Sequence, residues 1–147
     1  MEIRTTTHLD SATYADALTI RRNVFVSEQG VDPTLEVDAD EAKATYFVAY
    51  EAGLAVGCGR LLPESYGYHV QRVAVEKAFR HRGVGKALLD AMRVFAQEVG
   101  ANELRLGAQV QALGFYKALG YTPTPKPEFT EAGIQHREMH LLLRSKS

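Results

Sequence analysis

The sequence predicts a mixed α/β domain, in which a twisted sheet of about six or seven strands carries helices on both faces. Two observations lead to this fold class. Between Val70 and Leu106, an apolar strand, a glycine-bearing loop, an amphipathic helix and a second strand follow one another. Such a unit joins two parallel strands by a right-handed crossover. Short apolar segments separated by turns lead into this unit and indicate an antiparallel meander. We therefore expect one α/β domain spanning residues 1–147.

The composition limits the kinds of molecule that we expect this protein to bind. The chain has 147 residues, of which 46% are hydrophobic and 24% charged, enough to bury a core. A net charge of -1 provides no field for nucleic acid or an anionic membrane, so we expect neither as a partner. Cys58 is the single cysteine, which excludes an internal disulfide and favours a reducing compartment. Because no apolar run resembles a signal peptide or a membrane span, we expect a cytoplasmic protein.

The N-terminal part of the chain predicts a strand and then a helix. β-Branched residues favour a short strand over Glu2–Thr7. Asp10 or Ser11 suits the N-cap of a helix that extends to about residue 26. Arg21 and Arg22 fall outside the apolar stripe of this helix, so we expect both in solvent.

An acidic loop comes next, over Val31–Glu41. Its acids are Asp32, Glu36, Asp38, Asp40 and Glu41. One interpretation is that the loop is merely solvated, and the other is that it attracts a cationic amine. On the second interpretation Asp38 and Asp40 bind the substrate.

Three apolar segments then predict the antiparallel meander: Tyr46–Tyr50, Leu54–Leu62 and Val70–Val75. Gly57 and Gly59 interrupt the second segment. Glycines inside a strand indicate a bulge or the close approach of another part of the backbone.

The C-terminal third predicts two further strands around a helix. Glu103–Leu106 favours a short strand, Val110–Leu119 a helix and Gln135–Leu143 a last strand. Three prolines after the helix exclude its continuation, and Phe129–Gly133 is expected to be a turn.

The most informative stretch is the basic loop between the third meander strand and the helix that ends at Gly100. It consists of Arg80, His81, Arg82, Gly83, Val84, Gly85 and Lys86. Its glycines let an anion approach the backbone N–H groups at a helix N-terminus, where the helix dipole favours negative charge. An ATP-type P-loop would need glycine at Arg80 and Ser or Thr at Ala87, and a dinucleotide loop would need glycine at Leu88. Neither of these two nucleotide patterns is present.

Several motifs together resemble one family. The pattern Arg80-x-x-Gly83-x-Gly85 after a V-A-V strand is similar to the acetyl-CoA pyrophosphate loop of the GNAT N-acetyltransferase superfamily, Q/R-x-x-G-x-G/A. ALGFYKALGY at 112–121 resembles that superfamily's A-x-x-F-Y-x-x-L-G-F motif, with Tyr121 in place of phenylalanine. VFVSEQ at 24–29 with the acids at 36, 38 and 40, LGAQ at 106–109 and GIQHREM at 133–139 resemble the ElaA/YjcF-like branch. These motifs cover most of the chain in the right order.

This resemblance implies a sheet splayed between its fourth and fifth strands, here Gln71–Val75 and Glu103–Leu106. It implies acetyl-CoA as co-substrate, with pantetheine along the backbone of Val73, Ala74 and Val75 and the pyrophosphate on the basic loop. An amine of a small-molecule acceptor then attacks the thioester directly. A backbone N–H stabilises the oxyanion that forms.

The same resemblance implies catalytic and substrate-binding residues. Tyr116 matches the tyrosine that protonates the departing thiolate, although it could instead be a core aromatic. The general base stays open between Glu28, Asp38, Asp40 and His136. Arg72 and Arg60 either anchor a substrate anion or pair with the acidic loop. The substrate-binding candidates are Asp38, Asp40, Arg72 and Gln109.

Other functions remain open at this point. A GNAT-fold module could bind acyl-CoA without turnover, and a protein N-terminus could be the acceptor. The sequence leaves both a monomer and a homodimer open. We expect no metal, because His136 and His140 on a strand lie roughly 13 Å apart, too far to share one ion.

Overall fold

The computed structural model describes residues 1–33 and 37–143, which fold around one mixed β-sheet. The strands are β1 (Glu2–Thr6), β2 (Thr45–Glu51), β3 (Leu54–Glu64), β4 (Gly67–Val75), β5 (Glu103–Gln109), β6 (Thr122–Pro123), β7 (Phe129–Glu131) and β8 (Ile134–Leu142). The helices are α1 (Ala12–Arg21), α2 (Val84–Glu98) and α3 (Leu113–Ala118). A π-helical segment, Arg22–Glu28, continues α1, and short 3-10 turns lie at Glu41–Lys43, Lys77–Phe79 and Val110–Ala112.

The strand order is β1-β2-β3-β4-β5-β8-β6, with β7 paired to β8. Strands β2, β3 and β4 form the predicted antiparallel meander, and β1 extends it by pairing antiparallel with β2. Strands β4 and β5 are parallel, as the strand–helix–strand unit requires. One buried cluster packs α2 against the sheet and a second packs α1 against the opposite face. The predicted α/β class with helices on both faces is therefore confirmed. In the described part of the chain, no helix is long and apolar enough to cross a membrane.

The sheet has eight strands among the described residues, rather than six or seven. The predicted turn over Phe129–Gly133 is wrong in its first three residues, which form β7 and pair with β8 in a hairpin. The turn itself is Ala132-Gly133, where both φ angles are positive, at 51° and 75°. Two-residue hairpin loops favour such angles because their twist matches that of the strands. The other unpredicted strand, β6, is only two residues long.

The glycines of β3 allow α2 to pack directly on the sheet. A Cβ at Gly57 would lie 2.7 Å from Cγ1 of Val84 and 3.0 Å from Cδ1 of Leu88. Val84 is the first residue of α2 and is 1% exposed. The parts that approach these glycines most closely are side chains of α2 rather than another stretch of backbone, and the register also shifts between Cys58 and Arg60 in the pairing with β4.

Helix α1 begins as predicted and ends differently. The Ser11 hydroxyl caps it by accepting the N–H of Tyr14 at 3.1 Å. After Arg21 the hydrogen bonding changes to the π-helical pattern. The expectation that Arg21 lies in solvent is wrong, since this residue is 1% exposed. Its guanidinium donates to both carboxylate oxygens of Glu41, at 2.8 and 2.9 Å.

Candidate active site

The sheet opens between β4 and β5. Gly67–His69 pair with Glu103–Arg105, and beyond these three pairs Val70–Val75 and Leu106–Gln109 diverge. The predicted splay between the fourth and fifth strands is present, and β5 continues through it to Gln109, beyond its predicted end at Leu106. The edge of β4 that faces the opening thus presents main-chain N–H and C=O groups, which can pair with an extended ligand.

A bulge shapes this edge of β4. Arg72 and Val73 together face the single residue Gly59 of β3, and Arg72 adopts a φ of 57°. Beyond the bulge, Val73 and Val75 pack toward α2 while Ala74 packs toward α1. Bulges of this kind redirect side chains and main-chain groups near functional sites.

The basic loop, residues 80–86, ends at the N-terminus of α2. Gly83 is the N-cap residue with a φ of 82°, a left-handed conformation that glycine adopts without strain. No side chain of the described residues caps the helix, so its first N–H groups can receive an anion. A Cβ at Gly85 would lie 3.6 Å from Cζ of Phe115, which places α3 beside this helix end. The geometry fits the predicted pyrophosphate site.

Two of the basic side chains in this loop have protein contacts and remain near the surface. The Arg82 guanidinium lies over the Phe79 ring, 5.4 Å from its centroid. Lys86 donates to Asp90 at 2.9 Å on the surface of α2, and its side chain is 63% exposed. His81 is exposed and has a φ of 64°. Arg82 and Lys86 can supply positive charge, and the main chain can supply hydrogen bonds.

Arg80 and Glu28, predicted for different tasks, bind each other. Nη1 and Nη2 of Arg80 donate to the two carboxylate oxygens of Glu28, each at 2.6 Å. Nε of Arg80 donates to the Val75 carbonyl at 3.0 Å. The hydrogen bonds from Arg80 lower the pKa of Glu28. A carboxylate with a lowered pKa is a weaker general base.

Tyr116 lies on α3 within a group of aromatic rings. Its ring makes edge contacts with Phe115 and Tyr121, at centroid distances of 5.1 and 5.9 Å. Burial raises the pKa of the Tyr116 hydroxyl, which therefore keeps its proton at neutral pH. A general acid needs this protonation state. The packing and the predicted catalytic role are compatible in one residue.

His136 lies on β8 opposite Gln109, the last residue of β5. Its Nδ1 is 2.7 Å from the Ile134 carbonyl, which can only accept a hydrogen bond. Nδ1 therefore carries the proton in the neutral ring, and Nε2 has the free lone pair. The ring stacks on Phe129 at 5.6 Å and is 8% exposed as a residue. Gln109 itself accepts a hydrogen bond from Gln111 at 2.7 Å.

The acidic segment is bound to arginines rather than simply solvated. Asp38 accepts from Arg60 at 2.8 Å and from Arg72 at 3.3 Å, so pairing with the acidic loop is the interpretation that the geometry supports for both arginines. Asp40 donates its N–H to Asp38 at 3.0 Å and lies 3.6 Å from Lys43. Glu36, also part of the predicted segment, lies outside the described residues.

Behind Asp38 lies a buried polar cluster that sequence reasoning missed. We define it as Tyr14, Arg21, Glu41, Tyr46 and Arg60. Glu41 is 5% exposed and accepts from both arginines and both tyrosines. Burial alone would raise the pKa of Glu41, but hydrogen bonds from Arg21, the Asp38 N–H and Tyr14 outweigh it and lower the pKa. One signal was present, since Arg21 follows Tyr14 by seven residues and so shares its buried helix face.

The comparisons with known proteins agree with this geometry. Residues 10–143 match the family described as "Acetyltransferase (GNAT) domain". The chain belongs to the GNAT family. It is 38% identical over 125 residues to the uncharacterized N-acetyltransferase YjcF of Bacillus subtilis (strain 168), covering 84% of this chain and 89% of YjcF.

Two solved GNAT-fold structures illustrate the likeness. A candidate N-acetyltransferase from Lactobacillus plantarum superposes with a TM-score of 0.88 at 30% identity, over 97% of this chain and 98% of that one. Escherichia coli ElaA superposes with a TM-score of 0.83 at 24% identity, over 95% and 97%, which supports the fold alone. The predicted resemblance to the ElaA/YjcF-like branch of the GNAT superfamily is confirmed, and the chain is an acyltransferase.

Proposed function

We propose that this GNAT acyltransferase moves an acetyl group from acetyl-CoA to a primary amine of a small-molecule acceptor. The observation that supports this proposal most directly is the opening between β4 and β5. The N-terminus of α2, which no described side chain caps, lies beside it, and α3 is close to that helix end. An exposed strand edge suits the amide groups of pantetheine, and a helix N-terminus suits a diphosphate. Acetyl-CoA supplies the thioester, and this chain holds it along the edge of β4.

The backbone and Tyr116 then serve the chemistry. The acceptor nitrogen attacks the thioester carbonyl, and a backbone N–H near the β4 bulge stabilises the oxyanion. The C–S bond breaks as the tetrahedral intermediate collapses. Tyr116, protonated at neutral pH, gives its proton to the departing thiolate. The proton lost by the amine passes through water to a base.

His136 is the base that the geometry favours over Glu28. Its Nε2 lone pair is free of the hydrogen bond that fixes Nδ1, and its ring lies beside the end of β5 that lines the opening. Glu28 is committed to Arg80 in two hydrogen bonds. We therefore assign proton acceptance to His136.

The acceptor site lies, in our proposal, between Arg72 on β4 and Gln109 on β5, with His136 next to Gln109 on β8. Asp38 orients Arg72 through their hydrogen bond and does not itself capture the amine, since it already faces two guanidinium groups. Asp40 is the acid of this segment better placed to meet a cation in solution, because its only described ionic partner, Lys43, is 3.6 Å away and largely exposed.

The test is release of free thiol from acetyl-CoA over a panel of small amines, with peptide N-termini included. Tyr116→Phe should lower kcat at least tenfold, since a positioned general acid contributes about 10²–10⁴ in rate, and should leave acetyl-CoA KM nearly unchanged. Tyr121→Phe is the matched control, because it removes a hydroxyl from the same aromatic group. Acetyl-CoA binding without thiol release for any amine would favour the non-catalytic module. Turnover confined to peptides would favour a protein N-acetyltransferase.

Pre-steady-state rates should accompany the kcat values. If product release limits turnover, loss of a general acid is hidden in kcat and appears only in the chemical step. A chemical step within about twofold of wild type in Tyr116→Phe would remove Tyr116 from the mechanism.

A further inference from the structure

The π-helical segment Arg22–Glu28 is joined to the connection between β4 and α2 by two side-chain contacts. Glu28 binds Arg80 through two hydrogen bonds of 2.6 Å. At the other end of the segment, Asn23 Nδ2 donates to a carboxylate oxygen of Glu76 at 2.8 Å. Two polar contacts spaced along one segment hold it against the chain on both sides of the turn at Lys77–Phe79.

Arg80 is also held from the strand side. Its Nε donates to the carbonyl of Val75, the last residue of β4. Each of its three side-chain nitrogens thus donates to the protein, and together they connect the end of β4 with the π-helical segment. An arginine bound in this way has a fixed position, because its planar head group makes a bidentate contact on one side and a third bond on another.

The loop immediately after Arg80 has an unusual backbone. His81 and Gly83 have φ angles of 64° and 82°, and His81 is not a glycine. Residues other than glycine adopt such angles only when the surrounding structure holds them there. Arg80, anchored on two sides, is the residue directly before this stretch and can supply that restraint.

We propose that Glu28 and Arg80 are positioning residues that brace the basic loop, so that its backbone N–H groups are presented to the diphosphate of acetyl-CoA. This inference rests on the proposed function and assigns both residues roles other than those predicted from the sequence. Arg80 is not a phosphate ligand, and Glu28 is not a base.

The test measures acetyl-CoA Kd by calorimetry for the full chain and for Glu28→Gln, Arg80→Gln, Arg80→Lys and the double glutamine variant. We expect Glu28→Gln and Arg80→Gln each to weaken binding by about three- to tenfold. The double variant should bind acetyl-CoA no more weakly than the weaker-binding single variant, since both single substitutions remove the same contact. Arg80→Lys keeps the charge but cannot reproduce the three-nitrogen contact, so it should resemble Arg80→Gln.

Two other roles give different results, and each would overturn the proposal. If Arg80 binds the phosphate itself, Arg80→Lys should bind acetyl-CoA with near-normal affinity. Glu28→Gln should then bind acetyl-CoA as well as wild type or more tightly, because it removes a competing carboxylate. A general-base Glu28 predicts that Glu28→Gln leaves Kd unchanged, lowers kcat more than about a hundredfold and abolishes the acid limb of the kcat/KM profile.

Controls separate the brace from a general effect of charge and from failure of the proposed function. Glu98→Gln changes an exposed carboxylate at the far end of α2, about 21 Å along the helix, and should bind normally. All variants should melt within about 2 °C of wild type, as expected for an exposed pair. If wild type itself does not bind acetyl-CoA, the proposed function fails. If wild type binds and Glu28→Gln binds equally well, only the brace fails.

Discussion

Tyr121 is a buried tyrosine whose hydroxyl makes no hydrogen bond to any of the described residues. The residue is 2% exposed, and its oxygen has no hydrogen-bond partner among the described residues. Burial raises the pKa of this hydroxyl well above its ordinary value. Phenylalanine is the usual residue of the matching GNAT motif, so the ring is what the position requires and the hydroxyl is an addition.

We therefore expect Tyr121→Phe to leave the free energy of unfolding unchanged or to raise it by up to about 1 kcal/mol. An unsatisfied buried polar group costs about 1–3 kcal/mol, and this variant removes the group without leaving a large cavity. Urea unfolding monitored by circular dichroism gives the measurement.

Tyr46→Phe is the matched comparison, since the Tyr46 hydroxyl is bonded to the Glu41 carbonyl at 2.7 Å and to its carboxylate at 3.0 Å. That variant should lose about 1–3 kcal/mol, as for a hydrogen bond to a charged group. A comparable loss in Tyr121→Phe would show that its hydroxyl does have a partner.

At the scale of single residues, the sequence predicted which residues belong to the site better than it predicted which side chains they bind. Tyr116 and the glycines of the basic loop have a motif around them, and their surroundings fit the predicted roles. That Arg80 would bind Glu28 could not be predicted, because 52 residues separate them and their contact depends on how the π-helical segment packs. The same holds for Asp38 with Arg60 and Arg72.

At the scale of elements, the N-terminus of α2 depends on two glycines for different reasons. Gly83 needs its positive φ. Gly85 has ordinary space around it, since a Cβ at this position would lie 3.6 Å from the Phe115 ring. The first glycine is required by the backbone and the second, in our proposal, by the ligand.

Gly85→Ala should consequently fold at least as well as wild type, because alanine favours a helix, and yet bind acetyl-CoA more than about tenfold weaker. Gly83→Ala should instead lose about 1 kcal/mol of stability, because alanine is strained at this φ. Thermal melting and calorimetric titration of the two variants separate the effects. Normal affinity in a folded Gly85→Ala protein would place the diphosphate elsewhere.

The elements with strong hydrophobic periodicity were predicted, and the shorter or irregular ones were not. Val84–Glu98 and the meander strands lie within a few residues of their predicted bounds. Strand β6 has two residues and offers no period to detect, and β5 continues past Leu106 through Gly107, a residue that weakens a strand prediction. The first part of the π-helical segment, up to about residue 26, was predicted as ordinary helix, because a short apolar pattern does not distinguish the two.

At the scale of the whole molecule, the buried polar cluster connects α1, the turn at Glu41–Lys43, β2 and β3. Arg60 extends it to Gln71 on β4, with hydrogen bonds of 2.9 and 3.0 Å. Elements from three separate stretches of the chain thus meet at one carboxylate. A buried charge of this kind gives little net stability over an apolar core, but loss of one partner is costly.

Removal of that carboxylate gives the prediction for global stability. Glu41→Gln should lose about 3–5 kcal/mol of unfolding free energy at pH 7, because Arg21 and Arg60 would remain buried with less compensating charge. Arg21→Met combined with Glu41→Gln should recover part of this loss, since the double variant removes a buried charge together with its partner. Urea unfolding at fixed pH provides both values, and Glu131→Gln, at an exposed position on β7, should differ little from wild type.

Acid sensitivity follows from the same group, with the sign set by its lowered pKa. The unfolded chain binds a proton at Glu41 near its ordinary pKa of 4.5, while the folded chain keeps the carboxylate charged to lower pH. The stabilisation is therefore complete above pH 4.5 and declines as the pH falls from there toward the folded pKa. Unfolding free energies measured between pH 7 and pH 3 should fall more steeply below pH 4.5 for wild type than for Glu41→Gln, whose amide does not titrate. If the unfolding free energy falls equally steeply with pH in the two proteins, other carboxylates cause the loss of stability in acid and the buried polar cluster does not.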